Sequence, residues 1–191
     1  MTFRFDPEKH EYFLGDRKLE SVTEILERSG IADYRFSNEE AMTRGRYVHT
    51  ATEMIDRNTL DWPILDDTLR PYCEAYQRFI EDKRPEILLS EKPMYHAQHL
   101  FAGTLDRVVK MDGGVALIDI KSGAPSPATA IQVAAYRELV KVNEDIIPTK
   151  CFSLHLRDDG TYLLNEIKNL NRNHSIFLAA LTVERFKKEA V

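Results

Sequence analysis

Two aspartates and a lysine in the middle of the chain are the residues best suited to chemistry. Asp106 lies in the apolar run FAGTLDRVVKM, and Asp119 and Lys121 lie in the next apolar run, VALIDIKSG. Placing two carboxylates and an ammonium group in apolar strands is costly unless the charges are used. A hard cation such as Mg²⁺ takes carboxylate oxygens as ligands and can polarise a phosphoryl oxygen or acidify a bound water. A nearby lysine stabilises the negative charge that develops in such a hydrolysis.

The segment 101–123 predicts a β-hairpin that brings these three residues together. The glycine pair at 113–114 is the expected two-residue turn, because glycine accepts the positive φ that such turns require. This register places Asp106 opposite Lys121, with Asp119 one diagonal away. Side chains alternate along a strand, so all three point to one face of the sheet. The residues alone also allow a structural Asp–Lys ion pair at a strand end.

A second candidate group lies on a helix predicted from about Asn38 to Asn58. Gly45, His49 and Glu53 recur every four residues and therefore share one stripe of this helix. Glycine inside a helix costs about 1 kcal/mol relative to alanine, so Gly45 indicates close approach of another backbone or a ligand. His49 is a candidate metal ligand, and Glu53 a candidate ligand directly or through water. A packed histidine is the alternative interpretation.

Three more polar residues lie in elements that adjoin the hairpin. Glu91 belongs to a strand predicted over 87–96, and a third carboxylate would suit a second cation or the attacking water. Gln132 and Tyr136 are four residues apart on a helix predicted over 126–142, so they share one face. An exposed edge-strand glutamate and a core tyrosine are the alternatives.

These motifs, taken in order, resemble the PD-(D/E)XK nuclease superfamily. Asp106 with Asp119-Ile120-Lys121 resembles its metal-binding core. The segments AGTLD, LIDIKSG and QVAAY are similar to its RecB-type and phage exonuclease branch, and RGRYVHTATE is similar to the G-x-x-x-H-x-x-x-E helix of that branch. The run into SVTEIL is similar to phage-type exonucleases and the mitochondrial genome maintenance exonuclease. Leu105 stands where the family usually has proline.

The resemblance implies a DNA exonuclease that depends on Mg²⁺ or Mn²⁺. The implied metal ligands are His49, Asp106, Asp119, the carbonyl of Ile120, and Glu53. The implied catalytic and positioning residues are Asp106, Asp119, Lys121, Glu91, Gln132 and Tyr136. The resemblance also implies that Tyr136 orients the scissile phosphate. Arg44 and Arg46 lie beside the stripe of Gly45, His49 and Glu53 and are candidate nucleic-acid contacts, with ordinary exposed arginines as the alternative.

The two cysteines narrow the branch that the chain resembles. Members with an iron–sulfur cluster carry four cysteines around it. Cys73 and Cys151 are widely separated and lie in apolar patterns, which is typical of buried small side chains. We therefore expect no iron–sulfur cluster.

Composition is that of one soluble globular domain. The 191 residues are 43% hydrophobic and 30% charged, with a net charge of −5 that argues mildly against non-specific nucleic-acid binding. No apolar run approaches the length of a membrane span, about 20 residues. The N-terminus has no apolar signal segment. We therefore expect a cytoplasmic protein without a membrane partner, in a bacterial or phage-infected cell.

The expected architecture is α/β, with a restriction-endonuclease-like core in which helices flank a central mixed sheet. The predicted parts of this single nuclease domain are an N-terminal β-hairpin over 1–20, a helical part over 21–83, a catalytic sheet over 87–167, and a C-terminal helix over 171–189. A capping box of Ser21 and Glu24 begins the first helix.

Two other functions fit the same residues. One is a DNA-end-binding module that keeps the nuclease fold with little catalysis, and the other is a structure-specific or restriction-type endonuclease. The expected macromolecular partner is DNA, as single strands or duplex ends. A recombination or single-strand-binding protein is a further partner that the resemblance implies, in DNA recombination, repair or replication.

Overall fold

The computed structural model describes residues 1–32 and 39–190. Its elements are β1 (Phe3–Asp6), β2 (Glu11–Leu14), β3 (Arg17–Ser21), α1 (Val22–Arg28), α2 (Glu39–Asp56), a short 3₁₀ turn (Trp62–Ile64), α3 (Arg70–Lys83), β4 (Glu86–Tyr95), β5 (Phe101–Met111), β6 (Gly114–Lys121), α4 (Pro127–Asn143), β7 (Lys150–Leu156), β8 (Tyr162–Glu166) and α5 (Leu170–Glu189). The predicted start of the second helix, Asn38, lies outside the described residues. None of the described helices is long and apolar enough to cross a membrane.

The strands form one mixed sheet centred on β5. The order is β1-β2-β3-β5-β6-β7-β8, and β4 pairs with β5 outside this path. Both β4 and β3 pair with Ala102, so they lie on opposite edges of β5. On the β3 edge, β6 begins to pair only at Arg107. Among the described residues, no strand pairs with the stretch of β5 between these two pairings on that edge.

The hairpin of β5 and β6 corrects one prediction. Met111 pairs with Gly114, so the turn residues are Asp112 and Gly113 and not the two glycines. Asp112 has φ 49° and Gly113 has φ 75°, the two positive values that a type I′ turn requires. The register is thus shifted by two residues, which brings Asp119 rather than Lys121 next to Asp106. A shift of two keeps every side chain on the predicted face.

Helices cover both faces of the sheet. One core packs α1, α4 and α5 against the sheet around residues such as Leu105, Leu117 and Phe177. The other packs α2 and α3 against the opposite face around residues such as Tyr76 and Ile118. The region predicted as one helical part, 21–83, is therefore divided between the two faces.

The N-terminal strands belong to the same sheet. They form a three-stranded meander, and β3 pairs in parallel with the start of β5 through Glu20 and Ser21. Ser21 then caps α1: its hydroxyl accepts from the backbone N–H of Glu24, whose carboxylate accepts from the backbone N–H of Ser21. This capping box, predicted from the sequence, ends β3 and starts α1 at one residue.

Glu20 joins the meander to two helices. Its carboxylate accepts hydrogen bonds from Arg28 (2.5 Å), Arg185 (3.2 Å) and Lys188 (2.7 Å). Burial favours the neutral acid, but the three cations outweigh it and lower the pKa of Glu20 to about 2 from its ordinary 4.5. A lowered pKa stabilises the fold above the ordinary pKa, and this stability is lost as the pH falls towards 2.

We expect Glu20→Gln to lower the free energy of unfolding by about 1 kcal/mol at pH 7. Because protonation of Glu20 removes the same interaction from the native protein, the difference should shrink as the pH falls from 4.5 towards 2. Urea denaturation at several pH values measures it. Glu11→Gln, which removes a single pair with Lys18, is the control and should change stability less. A difference that is independent of pH would contradict the role of Glu20.

Candidate functional site

Asp106 lies where β6 leaves β5, and its side chain bridges the two strands. The side chain is buried, and Oδ2 accepts a hydrogen bond from the backbone N–H of Ile120 (2.5 Å). Burial raises the pKa of Asp106 to about 7; His49 opposes this shift, whereas the negative charges of Asp119 and Glu91 add to it. This carboxyl group is therefore poised to exchange its proton for another cation.

His49 approaches the sheet from α2 and completes a three-residue cluster. Its Nδ1 lies 3.3 Å from Oε1 of Glu91 and 3.6 Å from Oδ1 of Asp106. One donor atom from each of the three residues lies within 4.8 Å of the others. Burial acts to lower the pKa of His49, but the carboxylates of Asp106 and Glu91 outweigh it and raise the pKa to about 9. One turn earlier, a Cβ on Gly45 would meet Oγ of Ser122 at 3.8 Å, so Gly45 is where α2 approaches the end of β6.

The backbone of Glu91 has an unusual conformation. Its φ is 42°, in the left-handed region that residues other than glycine rarely adopt. Arg107, which is only 1% exposed, donates to Oε1 of Glu91 (2.7 Å). The same guanidinium donates to Asp56 (2.5 Å) and Thr52 (3.2 Å) of α2. Arg107 therefore fixes Glu91 and α2 to each other, and its charge and that of His49 lower the pKa of Glu91 against the effect of burial.

A second set of side chains extends from β6 to α4. The Nζ of Lys121 lies 2.8 Å from Oδ2 of Asp119 and donates to Oε1 of Gln132 (3.1 Å). The Nε2 of Gln132 donates to the hydroxyl of Tyr136 (3.0 Å). Asp119 is 1% exposed, and neither of its oxygens accepts a well-formed hydrogen bond within the described ranges. Lys121 balances the charge of this buried carboxylate, whose oxygens keep lone pairs for a further ligand.

Tyr136 also explains why residue 103 is glycine. A Cβ built on Gly103 would lie 2.7 Å from Cε1 of Tyr136, closer than carbon atoms can pack. The ring therefore lies directly on the backbone of β5, three residues before Asp106. Burial, the nearby hydroxyl of Tyr12 and the charge of Asp119 raise the pKa of Tyr136, so this hydroxyl stays protonated.

Three predicted site residues lie outside these clusters. Glu53 pairs with Arg57 on the same helix (2.6 Å). Arg44 stacks over the ring of Tyr72 at 5.6 Å from its centroid, and Arg46 is exposed, with Thr43 at 3.3 Å. The structure therefore brings together His49, Glu91, Asp106, Asp119, Ile120, Lys121, Gln132 and Tyr136, and it leaves Glu53, Arg44 and Arg46 apart from them.

The donor set suits a hard divalent cation. The residues around Asp106 offer carboxylate oxygens and one imidazole nitrogen, which Mg²⁺ and Mn²⁺ accept as ligands. The underbonded carboxylate of Asp119 adds negative charge next to this group. Within the described ranges the group of His49, Glu91 and Asp106 is the one whose donor atoms lie close enough to share an ion.

Two residues near the cluster are not predicted by any motif in the sequence. Arg107 follows Asp106 directly, and a charged residue between apolar strand residues was the signal that could have identified it. His10 lies in the turn between β1 and β2, and the charges of Glu91 and His49 act on its ring. No pattern in the sequence indicates that this turn approaches β4.

Comparison with known proteins supports the fold. No protein-family model matches the chain, and no curated protein matches it by sequence. Among solved structures, a candidate exonuclease from Eubacterium rectale is 14% identical with a TM-score of 0.51, covering 87% of this chain and 82% of its own. The alkaline exonuclease of Laribacter hongkongensis is 16% identical with a TM-score of 0.43, covering 89% and 92%. The first likeness confirms the predicted mixed α/β fold with a restriction-endonuclease-like core.

We expect Arg107→Met to lower the free energy of unfolding by about 3–5 kcal/mol, because it leaves the buried carboxylates of Asp56 and Glu91 without their cation. Urea denaturation measures the loss. The matched control is Arg57→Met, which removes an exposed pair with Glu53 and should cost less than about 0.5 kcal/mol. Equal losses in the two variants would contradict the assigned network.

We expect the affinity for Mn²⁺ to rise with pH between 6 and 9. The raised pKa of His49, about 9, means that its imidazole holds a proton at neutral pH and must release that proton to bind a cation. Calorimetry in buffers of different ionisation enthalpy should therefore detect proton release. Asp119→Asn should weaken binding. A pH-independent affinity, or binding without proton release, would contradict the cluster as a cation site.

Proposed function

We propose that this protein is a metal-dependent nuclease that hydrolyses DNA phosphodiester bonds. One observation carries the proposal: two buried aspartates, a lysine, a histidine and a glutamate come together at the point where β6 leaves β5. The distances of 3.3 Å and 3.6 Å from His49 to its two carboxylates, and of 2.8 Å from Lys121 to Asp119, support it. Carboxylates and an imidazole hold a cation, and the lysine supplies an additional positive charge that a cation site alone does not need.

The residues divide into ligands and groups that act on substrate. His49, Glu91 and Asp106 would hold Mg²⁺ or Mn²⁺, with Asp119 and the carbonyl of Ile120 completing the set. The bound cation would polarise a phosphoryl oxygen and acidify a water. Lys121 orients the attacking water or stabilises the charge on phosphorus, since its ammonium group lies beside Asp119 at the edge of the cluster.

Gln132 and Tyr136 hold the lysine in place. Gln132 accepts from Lys121 and donates to Tyr136. With its Oε1 occupied by the ammonium group, Gln132 limits the positions that Lys121 can take. The protonated hydroxyl of Tyr136 is a candidate donor to a phosphate oxygen of the substrate.

More specifically, we propose that this nuclease is an exonuclease of the RecB-type and phage branch, without an iron–sulfur cluster. The ordered motifs around His49, Asp106, Lys121 and Gln132 support this branch. The fold likeness to solved exonuclease structures fits it. Cytoplasmic action on DNA ends in recombination, repair or replication belongs to the same proposal.

The test is degradation of linear DNA labelled at either end, as single strands and duplexes, with Mg²⁺, Mn²⁺ or EDTA. We expect metal-dependent loss of label by the wild type. Lys121→Ala should reduce the rate at least about 100-fold while still binding metal. Asp119→Ala should lose both cleavage and metal affinity. Lys141→Ala, which removes an exposed lysine of α4 paired with Glu138, is the control and should cleave like the wild type.

The other outcomes separate the rival functions. Cleavage of covalently closed circles at the same rate as linear DNA would replace the exonuclease with an endonuclease. Tight DNA binding that is insensitive to metal, without cleavage, would indicate a DNA-end-binding module. Full activity in Lys121→Ala or Asp119→Ala would contradict the catalytic assignment.

A further inference from the structure

His10 is held beside the candidate site by a chain of hydrogen bonds. Its Nε2 lies 3.0 Å from the hydroxyl of Tyr12, and that hydroxyl lies 2.9 Å from Oγ1 of Thr104. The ring of Phe5 packs against the imidazole in an edge-to-face contact, with centroids 5.3 Å apart. Tyr12, whose hydroxyl contacts the imidazole, is only 1% exposed. His10 itself is exposed to solvent.

The hydrogen bonds from His10 through Tyr12 end at Thr104, close to the candidate metal ligands. Thr104 precedes Asp106 by two residues on β5, so their side chains lie on the same face of the strand. The carboxylates of Glu91 and Glu24 and the ring of His49 act on His10 through their charges. The hydrogen-bonded path through Tyr12 to Thr104 therefore places His10 on the side of β5 to which Asp106 points.

His10 and Lys121 approach Asp106 from different directions. Glu91 belongs to β4 and Asp119 belongs to β6, and these strands flank β5 on opposite edges. Lys121 is bonded to Asp119 and Gln132, whereas His10 belongs to the meander, whose Phe3 stacks on Tyr95 of β4 with ring centroids 4.8 Å apart. A substrate phosphate bound at Asp106 would therefore have a positive group on the β6 side and a neutral hydrogen-bonding ring on the β4 side.

Partial burial lowers the pKa of His10 and keeps its ring neutral near physiological pH. A neutral imidazole has one N–H donor and one acceptor nitrogen. The turn that carries it has positive φ at His10 (53°), a conformation that costs free energy in a residue other than glycine.

We propose that His10 donates a hydrogen bond to a backbone phosphate of the bound DNA strand, on the β4 side of the cluster. The inference rests on the proposed nuclease function and extends its substrate contacts to the N-terminal meander. Tyr12 and Thr104 act as positioning residues, because they reach the substrate only through His10.

Steady-state cleavage of a short DNA duplex tests the contact. His10→Ala should raise KM about tenfold and change kcat less than twofold, since it removes a hydrogen bond made equally before and during the reaction. Tyr12→Phe should raise KM less, because the imidazole remains but loses its support. His10→Asn, whose side-chain amide donates, should restore part of the affinity. His99→Ala removes an imidazole at the turn between β4 and β5 and should leave both constants unchanged.

A second measurement isolates the contact from any effect on folding. Duplexes that carry a single neutral methylphosphonate at successive positions are bound in Ca²⁺ by wild type and His10→Ala. At one position the replacement should weaken wild-type binding about tenfold and leave binding by His10→Ala unaffected. A purely structural role for His10 would give equal losses in both proteins at every position.

The outcomes are distinguishable from failure of the nuclease itself. Wild-type protein that binds DNA without cleaving it contradicts the proposed function, while the Ca²⁺ binding series still decides the phosphate contact. Wild-type cleavage with unchanged KM in His10→Ala, or equal methylphosphonate losses in the two proteins, overturns the role of His10 and leaves the nuclease standing.

Discussion

The hydrogen bond from the backbone N–H of Ile120 to the carboxylate of Asp106 is the contact on which the rest of the site depends. At this point β6 stops pairing with β5. The backbone N–H of Ile120, which would otherwise donate to a carbonyl of β5, donates to the side chain of Asp106 instead. The strands can then separate without leaving that donor unpaired in a buried region, which would cost about as much as a lost hydrogen bond. Separation leaves room for Asp119 and Lys121 to project beside Asp106, and for α2 to bring His49 within reach. Oδ2 of Asp106 thus binds the backbone of β6, while Oδ1 faces His49 in the cluster.

Charge balance around this carboxylate is maintained by groups from both sides of the sheet. Arg107 neutralises Asp56 and Glu91 on the side of α2, whereas Lys121 neutralises Asp119 on the side of α4. Buried ion pairs of this kind contribute little net stability, but removing one partner is strongly destabilising. These ion pairs therefore fix the positions of the charged side chains more than they stabilise the fold. A cluster with more carboxylates than cations retains affinity for a divalent ion. Burial raises the pKa of Asp106, and the charges of Asp119 and Glu91 add to this shift. The carboxylates of Asp106 and Glu91 raise the pKa of His49 against the effect of burial.

Much of the fold followed from local sequence patterns. The capping box at Ser21, the strands around Asp106 and Asp119, and the helix that carries Gln132 were predicted because each depends on neighbours in sequence. The hairpin register was wrong by two residues because Asp112 adopts the positive φ that was assigned to Gly114. Asp106 and Asp119 still come close together, but Asp106 contacts His49 of α2 whereas Lys121 contacts Gln132 of α4. The pairing of Arg107 with Glu91 was not predicted, because it depends on the register between β4 and β5, which the sequence pattern does not fix. The approach of His10 could not be predicted, because it joins segments far apart in the chain and leaves no periodic signal.

The parallel pairing of β3 with the start of β5 determines the order in which the molecule can be assembled. Glu20 and Ser21 pair with Phe101 and Ala102, so the meander cannot dock on the sheet until the ribosome has released the chain well beyond Ala102. By then α2, with His49, has already emerged, whereas β6 and α4 have still to follow. During synthesis the meander and α1 must therefore wait with their apolar faces uncovered, and those faces include Val22, Ile25 and Leu26. Because the pairing of β3 with β5 forms late, the newly made chain is at risk of aggregation during this interval.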